Sequence, residues 1–204
     1  MNIKQVEELV LQSLEHELGG VQVYSTAIRC AVNPALKDEW NEYLKQTKAH
    51  VASLEGVCDA LGIDAKRETP GRGVVRHVGV ALVQAMEMAL AAGEPTAAEL
   101  VACECVVLAE TKDHANWQLL GKCAENLEHA RASVLKQAYA EIEDQEDEHL
   151  YHTKGWCREL WIQSLGLNAL LPPPEERQSV KTAMGAARAE QAAEQMRMKS
   201  VTSA

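Results

Sequence analysis

Four stretches of this 204-residue chain carry carboxylates and imidazoles at spacings that point them inward. The plainest is Gln145-Glu146-Asp147-Glu148-His149, inside a helical run from about His129 to Gly166. Two heptad lines run along it, Leu135–Ile142–His149–Trp156 and Tyr139–Glu146–Thr153–Leu160. Both read as core-facing stripes. Glu146 and His149 therefore stand three residues apart on the same side of one helix. A buried carboxylate without a partner is costly, so the pair either closes a buried ion pair or binds a metal. Other inward lines place Glu17, His50, Glu110 and His114 in the same way, which favours the metal. Carboxylates bridge and neutralise hard cations, and neutral imidazoles suit iron, zinc, copper or nickel. Glu17, Glu110 and Glu146 are the carboxylates expected at the reacting centre.

The elements that must position these residues are helices. A first helix spans about Asn2 to Cys30, with Val10–Glu17–Tyr24–Ala31 and Leu14–Val21–Ile28 facing in. Gly19-Gly20 within it are poor helix formers, useful where a neighbouring helix or a ligand comes close. After Asn33-Pro34 a second helix runs from about Ala35 to Leu61, with Leu36–Tyr43–His50–Val57 and Trp40–Thr47–Leu54–Leu61 inward. Glu17 and His50 are about equally far from that turn, so an antiparallel hairpin brings them to one height. A polar stretch with Pro70, Gly71 and Gly73 precedes an apolar connector helix, Val74 to Ala92. The third main helix, about Thr96 to Ala124, carries Cys103–Glu110–Trp117–Ala124 and Leu100–Val107–His114–Gly121. Glu110 and Glu146 again flank a turn, at Glu125-Asn126-Leu127. The halves repeat each other: Tyr24 follows Glu17 by seven residues as Trp117 follows Glu110, and Thr47-x-x-His50 answers Glu146-x-x-His149.

Composition agrees with an all-α chain. Hydrophobic residues make up 47%, yet Phe is absent, and the prevalence of Ala, Leu, Glu and Gln favours helix over strand. The formal charge of −10, without a basic stripe, excludes a nucleic-acid phosphate binder. No signal peptide opens the sequence and no apolar run is expected to span a membrane; a cytoplasmic protein is expected. The six Cys form no C-x-x-C pair and read as free thiols. Pro172-Pro173-Pro174 stops the helical pattern and divides the chain into a bundle, residues 1–171, and a helical or disordered tail, residues 172–204. Removing that tail is expected to leave the bundle folded.

Glu17-Leu-Gly-Gly-Val-Gln-Val-Tyr24 resembles the first-helix segment of rubrerythrins and of the quinone-hydroxylating di-iron enzymes. Glu42-Tyr-Leu-Lys-Gln-Thr-Lys-Ala-His50 is similar to the second helix of the bacterial stress-associated ferritin-like proteins. The resemblance is to the ferritin-like superfamily, covers about Asn2 to Gly166 and brings no rubredoxin domain. It implies an antiparallel four-helix bundle with a crossover helix and a buried metal pair, usually iron, with manganese or a mixed Mn/Fe pair as the other options. Glu17, His50, Glu110, Glu146 and His149 match its ligand positions. Thr47 stands where the family has a Glu, and His114, one turn beyond Glu110, is the expected substitute. His16, Asp113, Asp147 and His152 are expected around the ligands, with Glu143 as a reserve ligand and Tyr24 and Trp117 beside the site. Trp40, Trp156 and Trp161 are expected in the core. The resemblance implies an oxidoreductase that takes O2 or peroxide and an unidentified reductant, with a homodimer as the assembly. Two alternatives stand beside it: a di-iron hydroxylase of a small organic substrate, which needs an apolar channel lined by residues such as Gly19, Gly20, Ala27 and Ala31, and a metal-free or storage-type bundle.

Overall fold

The computed structural model describes residues 1–127 and 129–202, the side chains of 129–131 and 199–202 excepted; the last two residues of the tail lie outside it. The described residues form helices and no strand: α1 (Ile3–Cys30), α2 (Pro34–Leu61), α3 (Pro70–Ala91), α4 (Pro95–Asn126), α5 (His129–Ser164), α6 (Pro174–Arg177) and α7 (Ala183–Thr202). The expected all-α fold is what the chain adopts.

The α1–α2 hairpin is set by local chemistry. Asn33 caps α2, its side chain accepting from the backbone N–H of Ala35 at 3.0 Å and of Leu36 at 3.4 Å, with Pro34 at the first helical position. Gly62, at φ 70°, closes the helix in the left-handed region. The buried carboxylate of Glu99 on α4 accepts from the N–H groups of Val32 and Asn33 at 2.7 and 2.6 Å. That contact ties the hairpin turn to α4 and so fixes the height of Glu17 and His50 against the other half.

Helix α1 packs against α2, α3 and α4, and α5 packs against α2 and α4. The apolar core divides in two. One cluster gathers around Tyr24, Trp40, Met86 and Trp156, the other around Leu14, Leu54, Leu120 and Leu135. The ligand-type residues belong to neither cluster and occupy the band between them.

Helix α3 starts at Pro70, four residues ahead of the expected Val74, because the Thr69 hydroxyl accepts from the N–H of Arg72 at 3.1 Å. Arg72 is buried and donates to Glu15 at 2.7 and 3.0 Å and to the carbonyls of Ala65 and Arg67 at 2.6 and 3.0 Å. Where α3 crosses α1, two glycines face each other: a Cβ built on Gly79 would sit 3.6 Å from the Cα of Gly19. The backbones touch because neither position carries a side chain. The expectation that no run could span a membrane is corrected here. An 18-residue window of α3 has mean hydropathy 1.4 with 6% of it buried, and by length and composition alone the helix could cross a bilayer.

The triple proline does not detach the tail. Arg158 on α5 pairs with the buried Glu175 at 2.6 Å, Ala189 and Ala193 of α7 are buried, and Lys181 reaches Glu148 at 3.1 Å. Glu159, fully buried, accepts from Arg158 at 3.0 Å, from the Leu170 N–H at 2.9 Å and from Arg197 at 2.8 Å. A chain ending at Leu171 loses Arg197 and leaves part of that carboxylate uncompensated, a cost of about 1–3 kcal/mol. The truncated protein is therefore expected to fold but to melt lower, by about 2–4 °C for each kcal/mol in a domain of this size. An unchanged melting temperature would mean that α7 contributes nothing to the core.

Candidate metal centre

Glu17, His50, Glu110, Glu146 and His149 all turn inward at one level and are each at most 4% exposed. They converge as two overlapping groups, Glu17–His50–Glu146 and Glu110–Glu146–His149, within each of which one ligand atom per residue lies within 4.8 Å of the others. Glu146 belongs to both. Nδ1 of His50 is 3.0 Å from Oε1 of Glu146 and 3.4 Å from Oε1 of Glu17; Nδ1 of His149 is 3.5 Å from Oε2 of Glu110 and 3.7 Å from Oε1 of Glu146.

Each imidazole is held from behind by a glutamine of the opposite helix. Nε2 of His50 donates to Oε1 of Gln145 at 2.8 Å, and Nε2 of His149 donates to Oε1 of Gln46 at 2.7 Å. The amide oxygen can only accept, so the Nε2 proton is fixed and Nδ1 is the atom left for a ligand. The arrangement is reciprocal: Gln46 and His50 on α2 match Gln145 and His149 on α5. The aromatics beside the site also cross between halves. Trp117 on α4 donates from Nε1 to Oε1 of Glu17 on α1 at 2.8 Å, and the buried Tyr24 of α1 neighbours Glu110 of α4. Tyr43 lies against His149 with ring centroids 4.1 Å apart, and its hydroxyl donates to Glu39 at 2.5 Å, beside Nδ1 of His152 at 3.1 Å.

Thr47 is no ligand, as its hydroxyl implies, and the roles expected of His114, Glu143 and Trp161 are corrected. Thr47 is buried, but its hydroxyl donates to the Tyr43 carbonyl of its own helix at 2.8 Å, so it offers no ligand. His114 does not replace the missing carboxylate. Its side chain is 16% exposed, and its Nδ1 pairs with Asp147 at 3.1 Å in a groove that borders the cluster at Glu146. The buried surface of α4, which packs against α1, α3 and α5, runs through Ala102, Val106, Ala109, Asp113 and Leu120, and His114 stands at its edge facing Asp147 of α5. Glu143 is exposed and is taken by the Tyr139 hydroxyl. Of the three tryptophans expected in the core, Trp40 and Trp156 are there; Trp161 is exposed and donates to Glu104 at 3.1 Å. Changing His114 to Ala is expected to leave metal content unchanged, as elemental analysis of the variant would show; a loss of an ion per chain would return His114 to the ligand set.

Asp113 is a fourth buried carboxylate beside the cluster. It is 4% exposed, its Oδ1 has no hydrogen-bond partner, and its charge acts on Glu17, Glu110 and Glu146. The signal was present in the sequence as Glu110-x-x-Asp113, the same-face spacing of Glu146-x-x-His149.

The electrostatics state what the site needs. Four buried carboxylates face two imidazoles, and no Lys or Arg among the described residues forms a salt bridge with any of the four. Burial, then the charge of Asp113, pushes Glu17 up to about 8, and the same two causes raise Glu146 well above the usual carboxylate range. Burial raises Asp113 as well, the Glu110 charge adding to it. Burial opposes a charge on His50, but Glu146 and Glu17 hold its proton and raise it to about 11. Glu110 is held below its ordinary value because His149 outweighs burial. Oε2 of Glu17, Oε2 of Glu110, both oxygens of Glu146 and Nδ1 of His50 lack an aligned hydrogen-bond partner, as Oδ1 of Asp113 does. Such a concentration of unsatisfied buried atoms in one place fits a cation. Compared with known proteins, the chain matches no protein-family model, no curated protein and no solved structure.

Proposed function

We propose that this chain is a ferritin-like, antiparallel four-helix bundle holding two divalent metal ions, iron by the resemblance of its first two helices, and that it is an oxidoreductase acting on O2 or peroxide. The observation that carries the reading is the charge count: four buried carboxylates and two neutral imidazoles amount to four negative charges, which two divalent cations balance. Glu17 and His50 would hold one ion, Glu110 and His149 the other, with Glu146 common to both and Asp113 completing the carboxylates. Oxygen-rich sets of this kind, with one imidazole per ion, suit iron or manganese.

Bound there, the ions would supply redox change and open coordination positions for a small oxidant. The chain's own residues do the rest. Gln46 and Gln145 orient the imidazoles. Trp117 donates to Glu17 and, by keeping one of its oxygens occupied, restricts how that carboxylate can swing. The two apolar clusters above and below exclude water. A metal-free structural role would leave the same carboxylates to be neutralised by protons alone, as the raised Glu17, Glu146 and Asp113 show, and would give their unpartnered oxygens no use. The test is elemental analysis of freshly purified protein together with its optical spectrum. Two ions per chain, mainly iron, is the expected result, and fewer than one ion per chain after anaerobic reconstitution with Fe(II) would overturn the reading.

A further inference from the structure

A cavity of about 360 Å³ opens between α1, α3 and α4, on the side of the carboxylate–histidine band that α3 covers. Its hydrocarbon wall includes Gly19, Gly20, Val75, Val78, Leu82 and Leu108. Four polar side chains also line it, and each already has a partner. Glu15 accepts from Arg72 and Arg76 at 2.7 and 2.6 Å, His16 meets the Ala109 carbonyl at 3.0 Å, Gln12 donates to Glu8 at 2.8 Å, and Lys112 donates to Asn116. What remains facing the space is mostly apolar, with the Lys112 ammonium and the Gln12 amide oxygen as the polar exceptions. Water finds few partners in such a place, and apolar cavities of this kind bind hydrocarbons: about 150 Å³ suffices for benzene. This one is more than twice that size and falls in the range of ligand sites.

Its position is as informative as its lining. The wall residues alternate with the metal-site residues along both helices. His16, Gly19 and Gly20 flank Glu17 on α1; Ala109 and Lys112 flank Glu110 and Asp113 on α4. Gly20 lines the cavity, and an added Cβ there would stand 3.2 Å from the Thr47 methyl.

We infer that this cavity is the binding site for an uncharged, largely apolar organic molecule the size of a fused two-ring aromatic, held one residue layer from the metal ions. The inference rests on the proposed function only for that last clause. The ligand's chemistry follows from a wall that is mostly hydrocarbon, and its size from the volume.

Naphthalene, followed by its fluorescence, tests this on the full chain, with 2-naphthoate as the charged control of the same shape. Chelator-treated protein is expected to bind naphthalene with a micromolar Kd and 2-naphthoate at least about tenfold more weakly. Val78 is half-exposed at the mouth, so Val78→Asp and Val78→Trp are both tolerable substitutions, and each is expected to weaken naphthalene binding at least tenfold while melting stays cooperative. Absence of binding, equal binding of the two probes, or binding untouched by both variants would overturn the site. Its adjacency to the metals is read separately, by broadening of naphthalene proton resonances when two equivalents of Co(II) are bound. Bound naphthalene without broadening removes the adjacency. Failure of Co(II) itself to bind removes the metal reading and leaves the cavity result standing.

Discussion

Glu146→Ala is expected to abolish binding of both metal ions, where loss of any other single carboxylate costs one. The reason is geometric. Glu146 is the only residue common to the two ligand groups, and neither of its oxygens is committed to a hydrogen bond. Removing a partner that merely orients a ligand costs about 10–100-fold in affinity. Removing a carboxylate shared by two ions is expected to cost more than that at each. Without metal the variant should melt lower than the parent, because Glu146 is neutralised by a proton there and its loss takes the nearest carboxylate from the buried His50 and leaves a cavity. Glu146→Gln, close in volume, separates the contributions: it keeps the packing, removes the charge and should also bind no metal. Stoichiometry after reconstitution and the melting temperature without metal are the two measurements. A Glu146→Ala protein that retained one tightly bound ion would show that the two groups act independently.

The metal-free protein is expected to lose stability as pH rises from about 5 to 8, against the usual trend for a protein whose carboxylates are paired. Glu17 titrates near 4.5 in the unfolded chain and near 8 in the folded one, so between those values the folded chain binds the extra proton. A raised pKa of this kind contributes stability that is full below 4.5 and lost as pH climbs through 8. Glu146 and Asp113 are raised too and add in the same direction. His50, raised from 6.5 to about 11, continues the loss above pH 6.5. Glu110 is lowered and acts in the opposite sense, but only below about 4.5. Protons thus neutralise the cluster when metal does not. Metal binding should release them, so affinity rises with pH, and the gap in melting temperature between loaded and chelated protein widens from pH 5 to 8. With about 2–4 °C per kcal/mol, a fall of at least about 5 °C in the chelated protein is expected. A chelated protein whose melting temperature rose over this interval would contradict the burial of these groups as uncompensated acids.

Much of the positioning of this site was readable without coordinates. On α1, α2 and α5 most residues of the inward heptad lines are buried, while Val21, Ile28, Ala31, Leu61 and Tyr139 are half-buried. Leu135, Ile142, His149 and Trp156 all lie inside, as do Val10, Glu17 and Tyr24, and Leu36, Tyr43, His50 and Val57. The equal distances of Glu17 and His50, and of Glu110 and Glu146, from their turns also translate into one level, because short turns make the two helices of a hairpin run back alongside each other. The reciprocal glutamines could have been found as well, since Gln46 and Gln145 each precede their histidine by four residues. They were hidden only because an amide one turn from an imidazole is unremarkable until the opposing helix is in place.

What the sequence determined by itself was the set of helices, the inward direction of most ligand-type residues and the pairing of the two halves, all consequences of a 3.6-residue period and of capped, short turns. What only tertiary structure decided was which flank of α4 is buried and whether the tail belongs to the core. Asp113 and His114 are adjacent, about 100° apart around the helix, and periodicity allows either beside Glu110. The packing of α4 among α1, α3 and α5 made the choice, burying Asp113 beside Glu110 and His50 and leaving His114 at the edge against Asp147. The tail was decided likewise by Arg197, thirty-eight residues from the carboxylate of Glu159 that it neutralises. Contacts of that range depend on where whole helices lie, and no local pattern encodes them.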